Sequence, residues 1–184
     1  MFEHMNSLSN VMVVQDCMHL LETAAESESA SKGYAGCLGY CMSGPFAFTA
    51  AAIINQRIRA AASIHGVRLF TDSEESPHLN THQVMGELYF GCAETDEWVP
   101  RELINNLENH LSRTGVHYRI ESGIQILNTD LSFRNVKANT IKMLQNGIGT
   151  GFSHSSKGTL NKDQTLSPLT KIIMEEFLLF SFTF

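Results

Sequence analysis

Apolar and polar positions recur along the chain with two periods, and each change of period marks an element. From Val11 to Ala25, "VMVVQDCMHLLETAA" carries apolar residues at helical spacing, with Asn10 just ahead as the expected N-cap. The polar "ESESASKG" predicts a surface loop. "YAGCLGYC" reads as a short buried strand, and "GPFAFTAAAIINQ" as a helix opened by Pro45 in its first turn. "IRAAASIHGV" predicts a second inner strand, "SPHLNTHQVM" a loop with turn chemistry, and "GELYFGCAETD" a third strand ending in acidic residues. "PRELINNLENHLSRTG" gives the clearest helix, with Pro100 at its start and Gly115 as its stop. Its apolar positions are Leu103, Ile104, Leu107 and Leu111. "VHYRIE" is a fourth strand. The order strand, helix, strand, strand, helix, strand predicts an α/β fold, a parallel sheet of about four strands flanked by crossover helices.

Beyond Glu121 the patterning stops. The following residues are rich in Asn, Thr, Ser and Gly with no sustained period, and the closing "IIMEEFLLFSFTF" has no polar stripe. The chain therefore divides into a domain over residues 1–121 and a divergent, irregular C-terminal tail over 122–184, expected to be poorly ordered. The uncharged aromatic "FLLFSFTF" has high β-propensity, which predicts poor solubility that improves when the residues after Glu121 are removed.

Composition narrows the function. With 184 residues, 43% of them hydrophobic, the chain has enough apolar material for the core of one soluble domain. A net charge of -6 argues against a nucleic-acid or membrane-surface partner, both of which favour a basic face. "MFEHMNSLSN" lacks the basic leader and apolar core of a signal peptide, and no apolar run approaches the roughly 18 residues that span a bilayer. A cytoplasmic protein is expected. Cys17, Cys37, Cys41 and Cys92 show no CxxC pairing, and the glycines between Cys37 and Cys41 oppose a metal knuckle. Reduced thiols, no metal and no cofactor are the expectation. The sequence leaves the oligomeric state open.

Two stretches carry chemistry. Gly39-Tyr40-Cys41-Met42-Ser43-Gly44 fits a nucleophile elbow, where a strand turns abruptly into a helix. The residues two before and two after the nucleophile must be small, and Gly39 and Ser43 are. Such a turn sets the sulfur over a helix N-terminus, which favours thiolate, and makes the Met42 N–H an oxyanion donor. The plain alternative is a buried cysteine in a glycine-rich turn. In "CAETDEWVP", Asp96 lies past a strand end and before a helix, where a doubly wound hydrolase carries its triad acid. Its plain alternative is a helix cap.

Together these residues resemble the dienelactone hydrolase (carboxymethylenebutenolidase) family of α/β-hydrolases. "GYCMSGPFAFTAAA" is similar to its cysteine elbow, "AAASIHGVRLFTDSEESPHL" to the strand and loop that follow, and "GELYFGCAETDEWVP" to its acid-bearing segment. The likeness runs from about Tyr34 to Glu121. It implies a partial α/β-hydrolase fold, Cys41 as nucleophile, Asp96 as triad acid, and hydrolysis of a small-molecule enol-lactone or ester carbonyl through a thioester. The family has further strands ahead of the elbow, so by this resemblance the chain is truncated at its N-terminal side. The family's substrate-gripping residues in that region have no counterparts here, and the substrate stays open.

After the fourth strand the family carries a Tyr-Pro-Gly-like turn and a His-Gly-Phe segment with the triad histidine, whereas this chain reads "SGIQILNTDLSFRN". Back-translating from Ser122 and regrouping the codon bases by one position permits that family segment, histidine included. A frameshift after Glu121 is therefore the expectation, with impaired turnover as its consequence. The rival reading is a catalytically dead fragment or interaction protein. Of the histidines present, His65 and His78 match ordinary family positions outside the triad. His110 falls in the long helix and His117 in the fourth strand. His154 lies on the right side of the chain for a base, but in surroundings that match nothing.

Overall fold

The structure, a computed structural model, describes residues 7–26 and 33–123. Helix α1 spans Asn10–Glu26 and strand β1 Ala35–Tyr40. A 3-10 turn over Cys41–Ser43 leads into helix α2, Gly44–Ile53, and then β2, Ile58–Ile64. A 3-10 segment at Pro77–Gln83 precedes β3, Glu87–Cys92, and α3, Arg101–Leu111, precedes β4, His117–Ser122. The strands form one parallel sheet in the order β1-β2-β3-β4. The tail expected over 122–184, and the frameshift expected there, lie outside the described residues from 124 onward.

Three local readings are corrected. The N-cap of α1 is Ser9, whose Oγ accepts from the Met12 N–H at 3.2 Å. Asn10 instead begins the helix, and its Nδ2 donates to the Glu75 carbonyl at 2.8 Å, tying α1 to the loop after β2. The stretch "SPHLNTHQVM" is not simply loop. Pro77 starts a 3-10 run held by i→i+3 bonds such as Leu79 N–H to Ser76 C=O, 3.1 Å. On α3, Ile104, Leu107 and Leu111 are buried while Leu103 faces outward.

Alternation along the strands separates two faces. Leu88, Phe90 and Cys92 of β3 join Val14 of α1, Phe48 of α2 and Leu107 of α3 in one apolar cluster, with Tyr118 and Ile120 of β4 packed against it. Phe48 and Phe90 meet edge to face, with centroids 5.3 Å apart. Helix α2 is apolar all round, and almost every residue in it is buried. The opposite face carries Ala62, Ile64 and Tyr89 with Leu38 and Tyr40 beside them. No helix among the described residues is long and apolar enough to cross a membrane.

Candidate active site

Strand β1 reaches Tyr40 in extended geometry, φ -111° and ψ 139°, and Cys41 then turns to φ 48°. That left-handed conformation costs a side-chain-bearing residue roughly 1–2 kcal/mol. The turn closes tightly. A Cβ on Gly39 would overlap the Ser43 carbonyl, and one on Gly44 would crowd Ser63 Oγ and Gly66 Cα. Ser43 does more than stay small: its Oγ accepts from the Tyr40 N–H at 2.7 Å and donates to the Tyr40 carbonyl at 2.8 Å. Sequence reasoning missed this clamp, because a small residue and a bonding residue look alike when both are serine. The Cys41 carbonyl accepts from the Gly44 and Val67 N–H groups, the latter at 3.3 Å, so the turn is pinned to the loop after β2.

Cys41 is the exposed thiol among the four cysteines. Burial pushes the Cys17, Cys37 and Cys92 thiols up, Cys92 to about 11 with the Asp96 charge adding to the effect. The Cys37 thiol also donates to the Ala47 carbonyl at 3.4 Å.

Asp96 follows β3. Its Oδ1 accepts from the Trp98 N–H at 2.8 Å and the Val99 N–H at 3.3 Å, shaping the turn ahead of α3. It does not cap α3, whose N-cap position is Pro100. Asp96 borders a pocket of about 540 Å³ with Cys92, Arg101, Ile104, Glu108 and Ser122. Met42 borders a smaller one of about 110 Å³ with Pro45, Phe46, Arg68 and Thr71. Cys41 and Asp96 thus stand at the same end of the sheet, beyond β1 and β3, and β2 lies between them.

Among the described residues neither Cys41 nor Asp96 hydrogen-bonds a histidine side chain. His65, one residue past β2, lies within the field of Asp96; burial lowers its pKa and the Asp96 charge partly opposes this. His78 is buried elsewhere, its Nδ1 2.7 Å from Ser76 Oγ and its ring stacked on Phe70 at 4.1 Å. His110 Nε2 donates to the His78 carbonyl at 3.0 Å. His117 is exposed on β4, and His154 lies outside the described residues.

A parallel sheet whose strand breaks sharply into a buried helix has the architecture of an α/β-hydrolase, here a partial one. The chain belongs to the dienelactone hydrolase family, whose profile matches residues 1–123. A Klebsiella pneumoniae protein assigned as a dienelactone hydrolase superposes with a TM-score of 0.66 at 14% identity, over 76% of this chain and 62% of its own. A dienelactone hydrolase-like promiscuous phosphotriesterase from metagenomic libraries superposes at 0.54 and 12% identity, over 70% of this chain and 59% of its own. Porphyromonas gingivalis dipeptidyl peptidase 4 gives 0.61 and 15%, over 75% of this chain and 23% of its own. These likenesses establish the fold, and the chain spans less than two thirds of each of these proteins. A search of curated proteins finds no significant match.

Proposed function

We propose that the chain is a hydrolase of dienelactone hydrolase type that attacks a small-molecule ester or enol-lactone carbonyl with Cys41. The observation that carries this reading is the left-handed backbone of an exposed Cys41 at the junction of β1 and α2. Strain of that kind persists where a side chain must be presented. The thiolate forms a C–S bond at the carbonyl carbon, the electron pair moves onto oxygen, and collapse expels the alkoxide to leave a thioester that water hydrolyses. The Met42 N–H is assigned to the oxyanion. Asp96 is the acid of the triad; its Oδ1 serves the local turn, and its second oxygen is assigned to the base. The family's histidine segment is replaced after the fourth strand, so turnover is impaired and the thioester accumulates. A cytoplasmic location belongs to the same reading.

4-Nitrophenyl acetate isolates the nucleophile, because its leaving group needs no proton. The expected result is a burst of one equivalent of 4-nitrophenolate, with an acetyl group on the peptide containing Cys41 and none in Cys41→Ala. An unmodified Cys41 would instead favour a catalytically inert interaction protein.

A further inference from the structure

Strand β2 lies between the strand that ends at Cys41 and the strand that leads to Asp96, and the residue at its tip is His65. Ile64 pairs with Tyr40 on one side and Gly91 on the other, so His65 follows one position beyond both. Its backbone N–H donates to the Gly91 carbonyl at 2.7 Å, and two residues later Val67 donates to the Cys41 carbonyl. The imidazole is therefore carried on a segment fixed to the nucleophile's turn and to the acid's strand.

His65 is also held at φ 50°. Glycine adopts that conformation freely and asparagine with little strain, yet the chain places an imidazole there. Among the described residues, the non-glycine positions with positive φ are Cys41, His65 and Arg68, all at this one end of the sheet. His65 Nδ1 is buried with no hydrogen-bond partner, as are Thr49 Oγ1, Arg59 Nε and Ser63 Oγ, and of these four groups the imidazole is the one suited to give and take a proton.

We infer that His65 is the proton acceptor for Cys41, with Asp96 as the residue that positions its imidazole. This rests on Cys41 as nucleophile. The proton passes from Sγ–H to a ring nitrogen, giving thiolate and imidazolium. The C–S bond then forms, the tetrahedral intermediate collapses, and the departing oxygen takes that proton, leaving neutral imidazole and a thioester. In the second half the ring accepts a proton from the attacking water and returns one to the cysteine sulfur. Ester and water become acid and alcohol, and Asp96 stays ionised throughout.

The test is the pH dependence of Cys41 alkylation by iodoacetamide in the full chain, mapped by peptide, for wild type, His65→Asn and His65→Gly. Both replacements suit the left-handed backbone, so the thermal midpoint should hold or rise. In wild type, reactivity should persist below neutral pH. In both variants alkylation near pH 6.5 should be at least about tenfold slower than in wild type. Added imidazole should restore part of the rate to His65→Gly, and Asp96→Asn should weaken the acid limb. Variant profiles that superimpose on wild type would make His65 a packing residue and overturn the inference. If acetyl transfer to Cys41 persisted unchanged in those variants, the nucleophile would stand and the base would fall. A wild-type Cys41 that takes no acetyl group would remove both.

Discussion

Gly39 and Cys41 place opposite demands on one turn. Gly39 must lack a Cβ, because the added atom would overlap the Ser43 carbonyl, which is backbone and has no rotamer to yield. Gly39→Ala should therefore destabilise the fold by about 1–3 kcal/mol, the usual range for forcing an atom into a packed site. Cys41→Gly should do the reverse. It releases left-handed strain at φ 48° and is offset in part by the added freedom of the unfolded chain, for a net gain on the order of 0.5 kcal/mol. Urea denaturation of the two variants should give shifts of opposite sign, and a large loss in Cys41→Gly would mean that thiol contacts hold the turn. The steric constraint at Gly39 was legible in the sequence, since the spacing of small residues around a cysteine reports a tight turn. His65 was not legible as a site residue. In sequence it is only the end of an apolar strand, and its significance comes from lying between two tips whose adjacency the sheet order creates.

Among the elements, the 3-10 segment Pro77–Gln83 departs most from the sequence reading. A run of i→i+3 bonds this short leaves no amphipathic period to detect, and Pro and Asn in it also suit turns. What fixes it is tertiary. His78 is buried with its Nδ1 on Ser76 Oγ, its ring on Phe70 and the edge of His110 5.1 Å away. Burial lowers the His78 pKa, His110 acts in the same direction, and Asp72 opposes. The folded state thus prefers the neutral ring. Its contribution is complete above the unfolded value of about 6.5 and is lost as pH falls from there through the folded value. His65, lowered by burial as well, adds the same sign. The thermal midpoint should accordingly drop on acidification from pH 7.5 to 5.5, and His78→Asn should flatten part of that slope. A midpoint that rose on acidification would contradict the assignment.

At the scale of the molecule, the parallel sheet was legible because four apolar runs alternate with turn signals and two of the connections read as helices. That α1, α2 and α3 all pack into one cluster on one face was not. Amphipathicity tells a helix which side to bury, but only strand order decides which face of the sheet receives it. Here successive strands are neighbours, and right-handed crossovers between neighbours return to the same side. The consequence for the site is a single sheet end at which the turns after β1, β2 and β3 converge, with one exposed thiol and three thiols withdrawn by packing. The most direct test of that arrangement is competition among the four cysteines for limiting iodoacetamide near neutral pH, read by peptide mapping. Thiolate is the reactive form, and burial suppresses it at Cys17, Cys37 and Cys92. The elbow predicts that Cys41 is labelled first and nearly alone, whereas equal labelling of all four would mean that the turn presenting Cys41 does not form.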